Sequence, residues 1–327
     1  MTLVGKKIKQ LALQHPRFFN LKTLQIINHK GQEFEQISFE IIHPEAAQES
    51  LPRLILIGGV HGLEVIGTKV LVSFLEHLLE QLNWNDTLAN QFKRVAVVGI
   101  PIVNPVGFEN GTRCNGNGVD LMRSAPVQSE HSVVFFGGQT FTPKLPYFMG
   151  YDTPELETQS VFNFVEGMMS RSPFSLLVDI HSGFGFKDSL WTPYAQNTTI
   201  PLHWPHYERL KSIINATLRH NVYVIEKQSD SYCTHGDIWD HMYDISLRKA
   251  FHFLPLTLEL GSWTWIKKSP SSVLNVKHLF NPSKQHREKR VLRRHIPLFN
   301  VLLNIVASYK TVFAELPINL HQSSEKS

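Results

Sequence analysis

The sequence predicts an α/β fold in which a central mixed, largely parallel sheet is flanked by helices on both faces. Three observations indicate this class. Apolar runs of strand length alternate with helical stripes, no internal repeat is visible, and 42% of the residues are hydrophobic against 18% charged. Residues with candidate chemistry are spread over most of the chain. We therefore expect a single domain over 1–327, with its core at about 50–265 and a C-terminal helix at about 282–310.

Short apolar or alternating runs bounded by turn residues predict the strands. The first two surround His29-Lys30-Gly31 and indicate a hairpin, whereas the later ones suit buried central strands. The predicted strands cover 24–28, 34–42, 53–58, 94–100, 176–180, 222–225 and 254–258.

Apolar side chains at helical spacing predict the helices. Pro297 falls inside the last of these patterns and indicates a helix start or a kink there. A segment rich in Gly, Pro and aromatic residues at 126–154 predicts a long loop of the kind that carries a binding surface. The predicted helices cover 64–82, 154–169, 206–219, 237–247 and 282–310.

Charge and cysteine content exclude several classes of protein. The net charge of +4 is mild, and the basic stretch at 284–295 has no aromatic residues, so we interpret it as a solvated helix face. Cys114 and Cys233 are too few for a disulfide framework or a thiolate zinc cluster. No apolar run approaches the ~18 residues of a membrane span, and the N-terminus lacks a signal-peptide core. We expect a cytoplasmic protein with no nucleic-acid or membrane partner, and its oligomeric state is left open.

Polar side chains stand where three predicted strands end. His61 and Glu64 follow one strand, His181 ends a second and Glu259 ends a third. In an open α/β sheet this edge is where ligands bind. Two His and one Glu are the ligand set of an open catalytic zinc site, and a further Glu is the base that such a site needs. The sequence therefore predicts one zinc ion per chain, held by His61, Glu64 and His181.

Five short fragments follow one another in a meaningful order over about 54–263. They are His61-Gly62-Leu63-Glu64, Asn104-Pro105-Val106-Gly107-Phe108, Asp120-Leu121-Met122-Arg123, Asp179-Ile180-His181-Ser182-Gly183 and Thr257-Leu258-Glu259-Leu260-Gly261. Each fragment alone is a weak signal. Together they resemble the motifs of the zinc carboxypeptidases related to carboxypeptidase A, which implies the fold of that family and a hydrolytic activity.

The resemblance implies a role for each matched residue. Glu259 is the general base that takes a proton from the water and delivers it to the leaving nitrogen. Arg113 polarises the scissile carbonyl and holds the developing oxyanion. Asp120 accepts a hydrogen bond from a zinc histidine, which we expect to be His61. The alternative for Asp120 is an ordinary ion pair in a surface turn.

Two further residues concern the substrate. Arg123 matches the arginine that pairs with a substrate carboxylate, and Tyr232 resembles the mobile tyrosine that closes over the substrate. The alternatives are a surface salt bridge for Arg123 and a packed loop aromatic for Tyr232. Met122 departs from the family, which has Asn there, and a thioether cannot donate a hydrogen bond. Losing one hydrogen bond to a charged group costs ~1.5–3 kcal/mol, which is enough to alter substrate choice without ending catalysis.

The leading hypothesis is a zinc metallocarboxypeptidase-like hydrolase that cleaves an amide bond next to a carboxylate in a small peptide. An N-acyl amino-acid deacylase, like the succinylglutamate desuccinylase and aspartoacylase branch, and an amidase for cell-wall peptides share the same zinc motifs. A non-catalytic binding module is the alternative of another class. Glu259 argues against it, because a site without turnover has no reason to keep its base.

Overall fold

The strands form an eight-stranded mixed sheet. The computed structural model describes residues 3–47, 50–151, 153–183, 185–220, 223–267 and 275–316. In these ranges the strands are β1 (Phe19–His29), β2 (Gln32–Ile41), β3 (Arg53–Gly58), β4 (Ala96–Ile100), β5 (Ser175–Gly183), β6 (Asp188–Thr192), β7 (Tyr223–Lys227) and β8 (Phe253–Gly261). Their order is β1-β2-β4-β3-β5-β8-β6-β7. The central strands β4, β3, β5 and β8 are parallel, whereas β2 and β6 join them in antiparallel fashion.

Helices cover both faces of this sheet. They are α1 (Leu3–Gln14), α2 (Val65–Leu82), α3 (Asp86–Gln91), α4 (Pro105–Asn110), α5 (Leu156–Met169), α6 (Trp204–Thr217), α7 (Ile238–Arg248), α8 (Trp263–Ile266), α9 (Val276–Phe280), α10 (Gln285–Ala307) and α11 (Tyr309–Val312). Along β3, Leu54 and Leu56 pack with α1, α2, α6 and α10, while Ile55 and Ile57 pack with α5 and α7. Successive side chains of a strand point to opposite faces, so β3 is buried on both sides. The predicted fold class is confirmed.

Some elements were not expected from the sequence. The strand β6 has only two apolar residues, Leu190 and Trp191, and its side chains alternate between buried and half-buried positions. Helix α4 begins at Pro105, where proline is favoured because the first N–H of a helix needs no partner. Helix α10 begins well before Pro297 and continues past it, so a helix start at Pro297 is wrong.

Within the described ranges, none of the helices combines the length and the apolar composition that a membrane span requires. The single domain over 1–327 and the cytoplasmic location stay predictions.

Candidate metal centre

The ends of three parallel strands bring the predicted zinc residues together. His61 lies in the turn after β3, and Glu64 occupies the N-cap position of α2. His181 lies within β5, directly opposite Glu259 of the neighbouring strand β8. Because β3, β5 and β8 run in the same direction, their carboxyl ends meet at one edge of the sheet, as the sequence predicts.

The turn between the two nearby ligands depends on a close backbone approach at Gly62. A Cβ atom on Gly62 would lie 2.0 Å from the carbonyl carbon of Gly107 and 2.2 Å from the nitrogen of Phe108, so no side chain fits there. Gly107 in turn donates its backbone N–H to Asn104 Oδ1 at 2.7 Å. The Asn-Pro-x-Gly segment therefore supports the His-x-x-Glu turn, which explains physically why the two motifs occur together.

The candidate ligand atoms are spaced as a metal ion requires. His61, Glu64 and His181 are buried, and one ligand atom from each lies within 4.8 Å of the others. His61 Nδ1 is 2.8 Å from Glu64 Oε1, and His181 Nδ1 is 3.2 Å from both His61 Nδ1 and Glu64 Oε2. A tetrahedral zinc ion with bonds of ~2.0–2.1 Å sets neighbouring ligand atoms ~3.3 Å apart. The arrangement therefore fits zinc.

Each histidine turns its other ring nitrogen towards a buried carboxylate. His61 Nε2 lies 2.9 Å from Asp120 Oδ1, the contact predicted from the sequence. His181 Nε2 lies 2.6 Å from Asp179 Oδ2, which also accepts the indole N–H of Trp239 at 2.7 Å. Such contacts fix Nε2 as the donor and leave the Nδ1 lone pair for a metal ion.

Neighbouring charges keep the buried carboxylates of Glu64 and Asp120 ionised. Burial by itself raises the pKa of Glu64, but His61 and His181 beside it hold that pKa well below its ordinary value. Burial likewise opposes ionisation of Asp120, and the Arg113 guanidinium and His61 outweigh it and lower the Asp120 pKa. Both carboxylates are therefore available as charged acceptors.

Arg113 and Glu259 complete this side of the site. Arg113 donates from Nε to Asp120 Oδ2 at 2.8 Å and places another guanidinium nitrogen 3.5 Å from Glu64 Oε1. Its guanidinium carbon lies 4.8 Å from the ring centroid of Tyr147, a cation–π contact. Glu259 is half-buried, and burial raises its pKa to about 7.

One cavity of about 490 Å³ joins these residues to those predicted to bind the substrate. Met122, Arg123 and Tyr232 line it together with the three candidate ligands. The loop at 126–154 contributes part of the wall, including Phe136. A larger groove of about 590 Å³ between β1, β2 and α5 is lined by none of the predicted site residues.

Sequence reasoning missed the contacts that hold the ligands in place. Asp179 stands two residues before His181 on the same strand, and the two-residue period of a strand is a signal that could have identified it. Asn281 gave no such signal. Its side chain accepts the backbone N–H of Ile66 at 2.9 Å and donates to the carbonyl of Leu63 at 2.7 Å. Asn281 therefore holds the backbone on both sides of Glu64. As the N-cap residue, Glu64 makes no side-chain capping bond of its own.

Comparisons with known proteins agree with this geometry. The model of the zinc carboxypeptidase family matches residues 6–261. Carboxypeptidase D of the duck Anas platyrhynchos is 26% identical over 187 residues, which are 54% of this chain but 12% of the duck protein. Carboxypeptidase D of Rattus norvegicus is 24% identical over 186 residues, with the same two shares. The chain therefore spans a small part of the length of these curated relatives.

Two solved structures share the fold. The thrombin activatable fibrinolysis inhibitor superposes with a TM-score of 0.69 at 14% identity, covering 93% of this chain and 73% of that one. Carboxypeptidase A of Helicoverpa armigera gives a TM-score of 0.68 at 15% identity, covering 93% of this chain and 72% of that one. The expected carboxypeptidase-like architecture is confirmed.

Proposed function

The chain belongs to the zinc carboxypeptidase family, and from that premise we propose that it is a zinc-dependent hydrolase that cleaves an amide bond next to a carboxylate. One zinc ion per chain is held by His61, Glu64 and His181. The observation that carries the proposal is the convergence of these three side chains with Glu259 and Arg113 on a single cavity. A cluster of ion pairs with a purely structural role would not be expected to combine three candidate metal ligands, a candidate base and a candidate oxyanion donor around one cavity.

Each residue has a distinct task in this reaction. Zinc in such a site polarises the carbonyl and lowers the pKa of water. Glu259 takes the proton of the attacking water and passes it to the leaving nitrogen. Arg113 donates hydrogen bonds to the developing oxyanion, and its own bond to Asp120 fixes its orientation before substrate arrives.

Arg123 anchors the substrate carboxylate in this proposal. It is 4% exposed, and among the described residues its Nε atom has no hydrogen-bond partner. A buried guanidinium donor without a partner suits an incoming carboxylate, because leaving it unpaired costs free energy. Met122 lies beside it with 4% exposure and supplies no side-chain donor. Tyr232 lines the same cavity and covers the bound substrate.

A hydrolysis screen of the zinc-loaded protein tests this function. We expect release of the last residue from C-terminally free peptides and resistance of the matched amidated peptides, both measured by liquid chromatography with mass spectrometry. Glu259→Gln, with its zinc content checked, is the control for contaminating peptidases. Turnover of N-acyl amino acids alone would indicate the deacylase, and turnover of γ-linked cell-wall peptides alone would indicate the amidase. Binding without any turnover would indicate a non-catalytic module.

A further inference from the structure

Part of the cavity wall consists of neutral polar side chains whose hydrogen-bonding groups are unused. Gln228 is 6% exposed and Thr257 is 7% exposed, and both line the cavity that contains Glu259 and Arg123. Among the residues that the structure describes, neither the Gln228 amide nor the Thr257 hydroxyl forms a hydrogen bond with the protein, and neither is among the side-chain atoms that are buried without a partner. These groups therefore face the cavity, where they are available to pair with the polar groups of a ligand.

The sheet places these groups next to the predicted chemistry. Thr257 lies two residues before Glu259 on β8, and in the antiparallel neighbour β6 it is paired with Trp191. Gln228 follows β7, and its carbonyl accepts the backbone N–H of Tyr232 at 3.0 Å. The rings of Trp191 and Tyr232 contact each other edge to face at 5.7 Å. This wall is therefore continuous with the proposed carboxylate anchor.

The same wall carries no charge of its own. Gln228, Thr257, Ser189 and Trp191 are all neutral, and Lys187 of the same cavity is exposed to solvent. A charged substrate side chain buried against them would lose its hydration without gaining a counter-ion.

The void behind Trp191, Gln228 and Thr257 is too small to hold a basic side chain. It has a volume of about 10 Å³, is lined by Trp191, Gln228, Thr257, Asp237 and Asp240, and has room for about one water molecule. Burial raises the pKa of both aspartic acids, and Asp240 accepts backbone N–H bonds with both of its oxygens. Asp240 and the Oδ1 atom of Asp237 hold backbone N–H groups. Asp237 Oδ2 has no hydrogen-bond partner among the described residues, but the void is too small to bring a basic side chain to it.

We propose that Gln228, Thr257, Ser189 and the Trp191 ring form the subsite for the side chain of the leaving residue, and that this subsite selects a neutral amide side chain, that of glutamine or asparagine. The proposal rests on the function proposed above, in which Arg123 holds the carboxylate of that residue. An amide donates and accepts, as do the Gln228 amide and the hydroxyls, and its flat face packs on the indole ring. An apolar side chain would exclude water from these polar groups without pairing them.

The test is a series of N-benzoylglycyl amino acids with Gln, Asn, Leu, Phe, Lys or Glu at the C-terminus. We expect kcat/KM of the zinc-loaded protein to be at least tenfold higher for Gln or Asn than for Leu. Gln228→Leu keeps the side-chain volume and removes the hydrogen bonds. It should lower kcat/KM for Gln at least tenfold and leave that for Leu unchanged or raised, with unchanged zinc content. Gln159→Leu, in the separate groove, is the matched control and should change neither value.

A second measurement tests the amide-selective subsite separately from the proposed hydrolytic function. Isothermal titration with free glutamine, asparagine, leucine and lysine measures the subsite without turnover. Tighter binding of the two amides that is lost in Gln228→Leu supports the subsite even if no substrate is hydrolysed, and the hydrolytic function alone would then fail. Hydrolysis or binding that favours Leu, Phe, Lys or Glu, or a glutamine preference that survives Gln228→Leu, overturns the subsite and leaves the hydrolase intact. An absence of binding by all four amino acids also overturns it.

Discussion

Glu64, a candidate metal ligand, and Gln228, in the proposed side-chain subsite, differ in how their polar groups are paired. On the metal side, Glu64 contacts both histidines and accepts the backbone N–H of Ser182 at 2.8 Å. In the subsite, the Gln228 amide has no described partner. Polar groups that are already bonded within the protein hold a fixed geometry in which they can stabilise the charge that develops during a reaction. Polar groups that have no bond within the protein can instead form hydrogen bonds with a ligand. In the function proposed here, the reacting groups are preorganised and discrimination between substrates is left to the proposed subsite.

The largest effect is expected from the ligands themselves. His61→Ala or His181→Ala removes one of the three proposed protein ligands, so each variant should lose most of the zinc and of the activity that the wild-type protein is expected to have. Elemental analysis of the purified variants measures the zinc, and wild-type protein prepared in parallel is the control. Stoichiometric zinc in the double variant would end the assignment of this site.

The next effect concerns proton transfer. Glu259→Gln keeps the size of the side chain but cannot accept the water proton, so turnover should fall by at least ~10²-fold. Zinc content should stay at the wild-type level, because Glu259 is not among the candidate ligands. Near wild-type turnover would make Glu259 structural, and another carboxylate would have to be the base.

A smaller effect tests whether the paired side of the cavity is preorganised. Trp239→Phe removes the indole N–H that Asp179 accepts, while an aromatic ring still fills the space. Outer contacts of this kind change metal affinity by 10–100-fold, and we expect about the lower end of that range. Competition with a zinc chelator measures the affinity. Trp84→Phe, at an exposed position, is the control, and unchanged affinity in Trp239→Phe would mean that the Asp179 contact does not orient His181.

The smallest effect concerns the carboxylate anchor. Met122→Asn restores the family residue beside Arg123 and should improve cleavage of peptides with free C-termini, by up to the roughly tenfold that ~1.4 kcal/mol represents. It should not help amidated peptides. Kinetics on a matched free and amidated pair decide this. Equal effects on both, or none, would mean that Arg123 is not the anchor, and a deacylase or amidase would then explain the site better.

The sequence by itself predicted which residues the structure gathers in one cavity as candidate metal ligands and base. His61 follows β3, and His181 and Glu259 lie near the carboxyl ends of β5 and β8. These strands are recognisable from their composition, and parallel strands place their carboxyl ends at one edge whatever the details of packing. Asp120 was predicted from its motif and Arg113 from its place between the Asn-Pro segment and Asp120, and the structure places the two in contact.

Only the tertiary structure decided which distant residues support and complete the site. Trp239 donates to Asp179 across 60 positions of the sequence. Asn281, the C-cap residue of α9, bonds to the backbone on both sides of Glu64. Gln228 lines the cavity because β6 lies between β8 and β7 in the sheet. The strand β6 is short and contains only two apolar residues, and the sequence analysis did not predict it. Local patterns record which face of an element is apolar, whereas the neighbours of that face depend on strand order and helix packing. Those are set by long-range contacts that no local pattern contains.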